Sequence, residues 1–155
     1  MQLSSKGRYA VMAMADLASH SAGLENAAPL TIASVAERQH ISQTFLEQIF
    51  MHLRRAGLLE SVRGPGGGYR LARRAKNISI YEIMQAVEEP VQMTRCSLDE
   101  VGGCVAGQRC LTHGLWQDLG QHITQFLTGT TLEDVLAGPQ EGLTFEATSS
   151  KEAHV

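Results

Sequence analysis

The sequence predicts a mainly α protein with one small β-hairpin: a front domain, then a cysteine-bearing loop and a long helix. Three observations carry this. Two amphipathic helices separated by a tight break fall between residues 31 and 56. A hairpin with the tip Arg63-Gly64-Pro65-Gly66-Gly67-Gly68 follows directly. Cys96, Cys104 and Cys110 lie within one short stretch ahead of a further apolar stripe.

Taken in order, residues 6–19 set Ala10, Val11, Met14, Leu17 and Ala18 at the spacing of one apolar helical face. Gly23, Asn26 and Pro29 then mark a linker. Thr31 is positioned to cap a short second helix whose inner face is Ile32, Val35 and Ala36. His40 and Ile41 make the break. Ser42 is positioned to cap a third helix, 42–56, with Phe45, Leu46, Ile49, Phe50 and Leu53 inward and a stop near Gly57. Its other face is Gln43, Thr44, Glu47, Gln48, Met51 and Arg55. Two helices with such a break are a helix-turn-helix candidate.

Residues 58–62 and 69–71 read as strands flanking the glycine-rich tip. A hairpin directly after a helix-turn-helix reads as the wing of a winged helix. Its glycines let backbone N–H groups approach phosphates, and Arg63 can reach a groove or the backbone. A nucleotide-phosphate loop is disfavoured, because the tip has no G-K-[ST] and no βαβ context. Ser79 and Glu82 form a capping box for a helix with Ile80, Ile83, Met84 and Val87 inward, ended by Pro90. Residues 91–110 show little periodicity and read as a loop. Thr112 is positioned to cap a long helix over 113–128, ~24 Å at 1.5 Å per residue. Its stripe is Leu115, Trp116, Leu119, Ile123, Phe126 and Leu127. That stripe suits either a dimer interface or packing back onto the front domain. Residues 131–136 read as one more turn, and 138–155 as a disordered tail.

Charge divides the chain along the same line. The net charge of -3 conceals ten Lys/Arg against five Asp/Glu in residues 1–76, a balance of +5. Residues 77–155 carry three against eleven, a balance of -8. A basic front half is suited to a polyanion, and its acidic partner is not. No apolar run approaches the ~18 residues of a membrane span, and the N-terminus lacks a signal peptide's apolar core, so a cytoplasmic protein is expected.

Three cysteines, an odd number, argue against a disulfide framework in such a chain. Their spacing is Cys96-x7-Cys104-x5-Cys110-x2-His113. Three thiolates and an imidazole could close either a tetrahedral zinc site or a [2Fe–2S] cluster. The long gaps and intervening glycines suit the larger group, which favours iron–sulfur.

Four stretches carry a resemblance. They are Met1-Gln2-Leu3-Ser4-Ser5-Lys6-Gly7-Arg8-Tyr9-Ala10-Val11, Phe45-Leu46-Glu47-Gln48-Ile49-Phe50, Ser61-Val62-Arg63-Gly64-Pro65-Gly66-Gly67-Gly68-Tyr69 and Cys110-Leu111-Thr112-His113. Over about residues 1–137 the chain resembles the IscR-type iron–sulfur cluster regulators, bacterial winged helix-turn-helix transcription factors. The resemblance implies a homodimer with one [2Fe–2S] cluster per subunit, held by Cys96, Cys104, Cys110 and His113. It implies control of cluster-assembly genes, different DNA-site preferences with and without the cluster, and an acidic discriminating residue at Glu47.

The expected organisation is then a winged helix-turn-helix domain over 1–76 and a connecting helix over 77–90. A cluster-binding loop over 91–113, a dimerisation and terminal helix over 114–137 and the tail over 138–155 complete it. Lys6, Ser42, Thr44, Glu47, Gln48, Arg55, Arg63, Gly64, Gly66, Gly67 and Tyr69 are the expected DNA-binding residues, with Arg70 as a further phosphate contact. The partners are double-stranded DNA with a pseudo-palindromic operator, a second copy of the chain, and the iron–sulfur assembly machinery as cluster donor. No catalytic residue and no membrane is expected. The competing readings are a nitric-oxide-sensing cluster regulator, a zinc-stabilised DNA-binding protein and a redox enzyme. The last leaves the helix-turn-helix and the wing unexplained.

Overall fold

The computed structural model describes residues 4–21, 28–88 and 110–138. Among them, in chain order, are α1 (Ser5–Ser21), α2 (Ile32–Gln39), α3 (Gln43–Arg55), β1 (Leu59–Val62), β2 (Gly68–Leu71), α4 (Ile80–Ala86), α5 (His113–Gly129) and α6 (Leu132–Ala137). A 3-10 turn, Ala75–Asn77, precedes α4. No helix of the described residues is long and apolar enough to cross a membrane.

The core forms around α1, whose Ala10, Ala13, Met14, Leu17 and Ala18 are buried. Three alanines on that face allow α2, α3, α4, α6 and β2 to approach it. Onto it pack Val35 from α2, Leu46, Ile49, Phe50 and Leu53 from α3, Ile83 and Met84 from α4, and Leu132 from α6. Every apolar period read from the sequence up to residue 87 therefore faces this core.

Local signals fix most helix ends. Thr31 Oγ1 accepts the Ser34 N–H at 3.2 Å, as a capping side chain does. His40 takes the left-handed conformation (φ 52, ψ 44), and the Ile41 N–H reaches back to the Ala36 carbonyl at 3.0 Å, closing the turn between α2 and α3. Gly57 ends the α3 segment with φ +73. The Ser79–Glu82 capping box is present, and Thr131–Asp134 forms a second one at the start of α6.

Three expectations about ends are corrected. Ser42 sits at the N-cap of α3, but its side chain makes no capping hydrogen bond; the tight turn through His40 and Ile41 sets the start of the helix. Thr112 sits at the N-cap of α5 with φ -97 and ψ 6, and it too makes no capping bond, because its hydroxyl is engaged elsewhere. Helix α4 stops at Ala86 rather than at Pro90. Glu88 turns left-handed (φ 57), which ends the helical path two residues earlier.

The hairpin pairs Leu59 with Leu71 through to Val62 with Gly68. A third segment joins it: Leu30 and Tyr69 exchange both backbone hydrogen bonds, at 2.9 and 2.7 Å. The stretch read as linker thus ends in a strand-like contact that ties the wing to the start of α2. Gly68 is required by this contact. A Cβ there would lie 2.4 Å from the Leu30 carbonyl oxygen, at a φ of +156.

The C-terminal helices are stitched to the front domain. The Ile80 N–H donates to the Thr130 carbonyl at 2.9 Å, and the Leu132 N–H to the Ile78 carbonyl at 2.8 Å. The two capping residues, Ser79 and Thr131, face each other across this bridge.

Candidate nucleic-acid interface and metal site

Helix α3 separates its two faces cleanly. Leu46, Ile49, Phe50 and Leu53 are fully buried, while Gln43, Thr44, Glu47, Gln48, Met51 and Arg55 are all exposed. The polar face is continuous because its residues recur at three- and four-residue steps. Within it the Gln43 side-chain amide donates to Glu47 Oε1 at 3.2 Å, so the carboxylate already has a hydrogen-bond partner. The expected placement of Thr44, Glu47, Gln48 and Arg55 on one exposed face holds. The Gln43–Glu47 hydrogen bond was not read from the sequence, although the i, i+4 spacing was visible. His52, Arg54 and Arg55 gather in the last turn, where positive charge complements the helix dipole.

Aromatic contacts hold the flanking elements to α3. Tyr9 meets Phe45 edge-on with ring centroids 5.8 Å apart, which fixes the first turns of α1 against α3. Lys6, half-buried, lies one turn before Tyr9 on the same side of α1. Tyr69 meets Phe50 edge-on at 5.0 Å, so the base of the wing rests on α3. The ring of Tyr69 is thereby committed to packing.

At the wing, Arg63, Gly64 and Gly66 are exposed at or beside the tip, with open space around both glycines. Gly67 differs from its neighbours. Its N–H donates to the Gly64 carbonyl at 2.9 Å, and a Cβ there would come within 2.4 Å of the Val62 carbonyl oxygen. Gly67 closes the turn, and its N–H is already occupied within it. Arg70 is paired with Glu60 directly across the hairpin, which makes it a cross-strand ion pair.

Two ionic contacts, Asp16 with Arg38 and Arg73 with Glu82, were not read from the sequence, because each crosses between elements. Asp16, only 6% exposed, receives Arg38 through both Nε and Nη2 (2.6–3.3 Å) and the Gln39 amide at 2.9 Å. Burial pushes its carboxyl up, but the hydrogen bonds from Arg38 and Gln39 and the Arg38 charge outweigh burial and hold it below the ordinary value. This cluster locks α1 to α2. Arg73, at the end of the hairpin, donates to Glu82 at 2.9 Å and to the Asn77 carbonyl at 3.1 Å. Glu82 also accepts the Ser79 N–H at 2.9 Å, and these bonds depress its pKa despite partial burial. Arg73 thus connects the wing to the capping box of α4.

Of the expected metal ligands, Cys96 and Cys104 lie outside the described residues. Cys110 is a free, partly exposed cysteine, and His113 opens α5 three residues on. The His113 N–H donates to the Cys110 carbonyl at 3.0 Å, which folds the two onto one turn. A thiolate and an imidazole so placed fit two of the four donors of an iron–sulfur or zinc site. Among the described residues alone, no group of three or more potential ligands comes together.

Helix α5 has no fully buried residue. Leu115, Trp116 and Phe126 are 61%, 38% and 46% exposed. Only Leu127 of the predicted stripe packs partly against the core, while α5 itself lies against α4.

Comparison with known proteins agrees with this arrangement. Residues 3–138 match the Rrf2 family model, described as an iron-dependent transcriptional regulator. The chain is 52% identical over 136 residues to the HTH-type transcriptional regulator IscR of Xenorhabdus nematophila, covering 88% of this chain and 79% of that one. Among solved structures it is similar to CymR, the global cysteine regulator of B. subtilis, with a TM-score of 0.72 and 31% identity over 88% of this chain and 97% of the other. It is likewise similar to IscR of T. potens, with a TM-score of 0.68 and 33% identity over 92% and 94% of the two chains. Those relatives are named as regulators, not enzymes. With its winged helix-turn-helix, the exposed polar face of α3 and this degree of identity, the chain belongs to the Rrf2 family of iron-dependent transcriptional regulators, in its IscR-type branch, and binds DNA.

Proposed function

We propose that this regulator senses iron–sulfur status through a [2Fe–2S] cluster and changes its choice of DNA site accordingly, acting on cluster-assembly genes in the cytoplasm as a homodimer. The observation that carries the reading is the position of Cys110 and His113. They sit at one end of α5, and just beyond its other end Thr130 and Leu132 are hydrogen-bonded to Ile80 and Ile78, in the segment that connects to the DNA-binding domain.

Cys96, Cys104, Cys110 and His113 are the residues that would hold the cluster. When bound, it supplies a redox- and iron-sensitive tie between the loop and the first turn of α5. The chain's own residues do the rest. The exposed apolar residues Leu115, Trp116 and Phe126 are offered to a second copy, since three large side chains this open on one helix are costly to leave in water. Two heads related by a two-fold axis would read a pseudo-palindrome in successive major-groove turns. Thr44, Glu47 and Gln48 face base edges, where Gln suits adenine and Glu accepts from the cytosine amino group. Lys6, Arg55 and Arg63 serve phosphates, with the open backbone at Gly64 and Gly66 allowing close approach. Glu47 acts as the gate: a site with a cytosine amino group adds a second donor to that of Gln43, and a site without one leaves the carboxylate to Gln43 alone against the phosphates.

Anaerobic purification tests the reading directly. A coloured protein with iron and acid-labile sulfide near one cluster per chain is expected, and Cys104→Ala should abolish the colour while leaving a folded dimer. A colourless protein with stoichiometric zinc would reject the cluster.

A further inference from the structure

The Thr112 hydroxyl is in the position of a helix cap and does not cap. Ser79 and Thr131, at the equivalent positions of α4 and α6, both bind the backbone of their helices. Thr112 Oγ1 instead accepts the indole N–H of Trp116 at 3.2 Å and lies 3.6 Å from Cys110 Sγ. Trp116 is one turn further along α5, so Thr112 and Trp116 share one side of the helix.

The chemistry of these three groups fixes who gives and who receives. An indole N–H only donates, and a hydroxyl has one hydrogen and two lone pairs. Trp116 occupies one lone pair of Thr112. A sulfur bound to iron has no proton left to give. The one hydrogen able to close the Thr112–Cys110 contact then belongs to the hydroxyl.

We propose that Thr112 is a positioning residue for Cys110: its hydroxyl, oriented by the Trp116 indole, donates to the Cys110 sulfur and tunes the metal group held there. This deepens the proposed function and rests on Cys110 being a ligand. A donor aimed at a ligand sulfur stabilises the extra negative charge of the reduced state, so it raises the reduction potential. It also restrains the sulfur and slows loss of the group.

The test uses the full chain in two forms. In cluster-free protein the single tryptophan gives a single indole N–H resonance. Thr112→Val, which keeps the shape and removes the hydroxyl, should move that resonance upfield, and Thr112→Ser should hold it in place. In anaerobically purified, coloured protein, Thr112→Val should lower the midpoint potential and speed bleaching in air. Thr112→Ser should restore both, and Trp116→Phe should produce a smaller change in the same direction, because the freed hydroxyl can rotate. An unchanged potential in Thr112→Val, in protein whose Cys110→Ala variant has lost its colour, overturns the proposal. Full colour in Cys110→Ala instead overturns the ligand reading beneath it.

Discussion

Helices α3 and α5 are both amphipathic, and they use their faces in opposite ways. In α3 the apolar face is completely filled by its own chain, with Leu46, Ile49, Phe50 and Leu53 buried. What remains outward is polar apart from Met51, and it is the face proposed above to read DNA. In α5 no residue is fully buried, and Leu115, Trp116 and Phe126 of its apolar stripe stay exposed. A hydrophobic stripe therefore means different things in the two helices. In α3 it anchors an exposed polar face, and in α5 it is itself part of the exposed surface, the one proposed above to meet a second copy.

The contrast can be broken most forcefully in the core. Leu46→Ala should cost about 2–5 kcal/mol in thermal or denaturant unfolding, as for a fully buried leucine. Leu115→Ala, at the most open position of the α5 stripe, should change unfolding by less than about 0.5 kcal/mol at protein concentrations below dimerisation. Equal losses would mean that α5 is held by its own chain after all.

Asp16→Asn comes next. It removes a buried anion from between Arg38 and Gln39, at about 1–3 kcal/mol, since the bonds are charge-assisted and Arg38 keeps access to water. Because the folded pKa of Asp16 lies below its ordinary 3.8, the pair stabilises the fold above that pH and loses its contribution as pH falls through the folded value. The wild-type unfolding midpoint should drop below about pH 4 more steeply than that of Asp16→Asn.

At the surfaces the effects move from stability to association. Phe126→Asp should leave the far-ultraviolet spectrum unchanged and give a monomer in analytical ultracentrifugation; a persistent dimer would remove α5 from the interface. On the α3 side, Glu47→Ala should relax base choice by about 1–3 kcal/mol at one position, read by selection from a randomised duplex pool. Arg63→Ala should weaken all sequences alike and reduce the salt slope by about 1. Uniform weakening by Glu47→Ala would refute its role as a gate.

Much of this architecture could be read from local patterns. Helix periodicities, the turn at His40, the Ser79 box and the hairpin all depend on residues a few positions apart, where sequence spacing and spatial contact coincide. The failures share a different cause. Leu30 meets Tyr69 and Asp16 meets Arg38 across long stretches of chain, and no local period signals either. Gly68 appeared to be one of several flexible tip residues, yet it is needed for the approach of Leu30. Thr112 carried the right residue type for a cap, and its hydroxyl was drawn away by Cys110 and Trp116. Cys110 and His113 were legible as a pair because they lie on one turn.

The bridge between Ile78–Ile80 and Thr130–Leu132 has a mechanical consequence. It pins α5 at its C-terminal end, while the helix extends ~25 Å to Cys110. A rigid helix of this length amplifies: a tilt of ~10° about the bridge moves its Cys110 end by about 4 Å. Read in the other direction, the same rod reduces a movement of several ångströms at the cysteine end to a small rotation beside Arg73 and the wing. On the proposed function, such a gear ratio would turn a change at Cys110 and His113 into a slight adjustment of the DNA-binding domain.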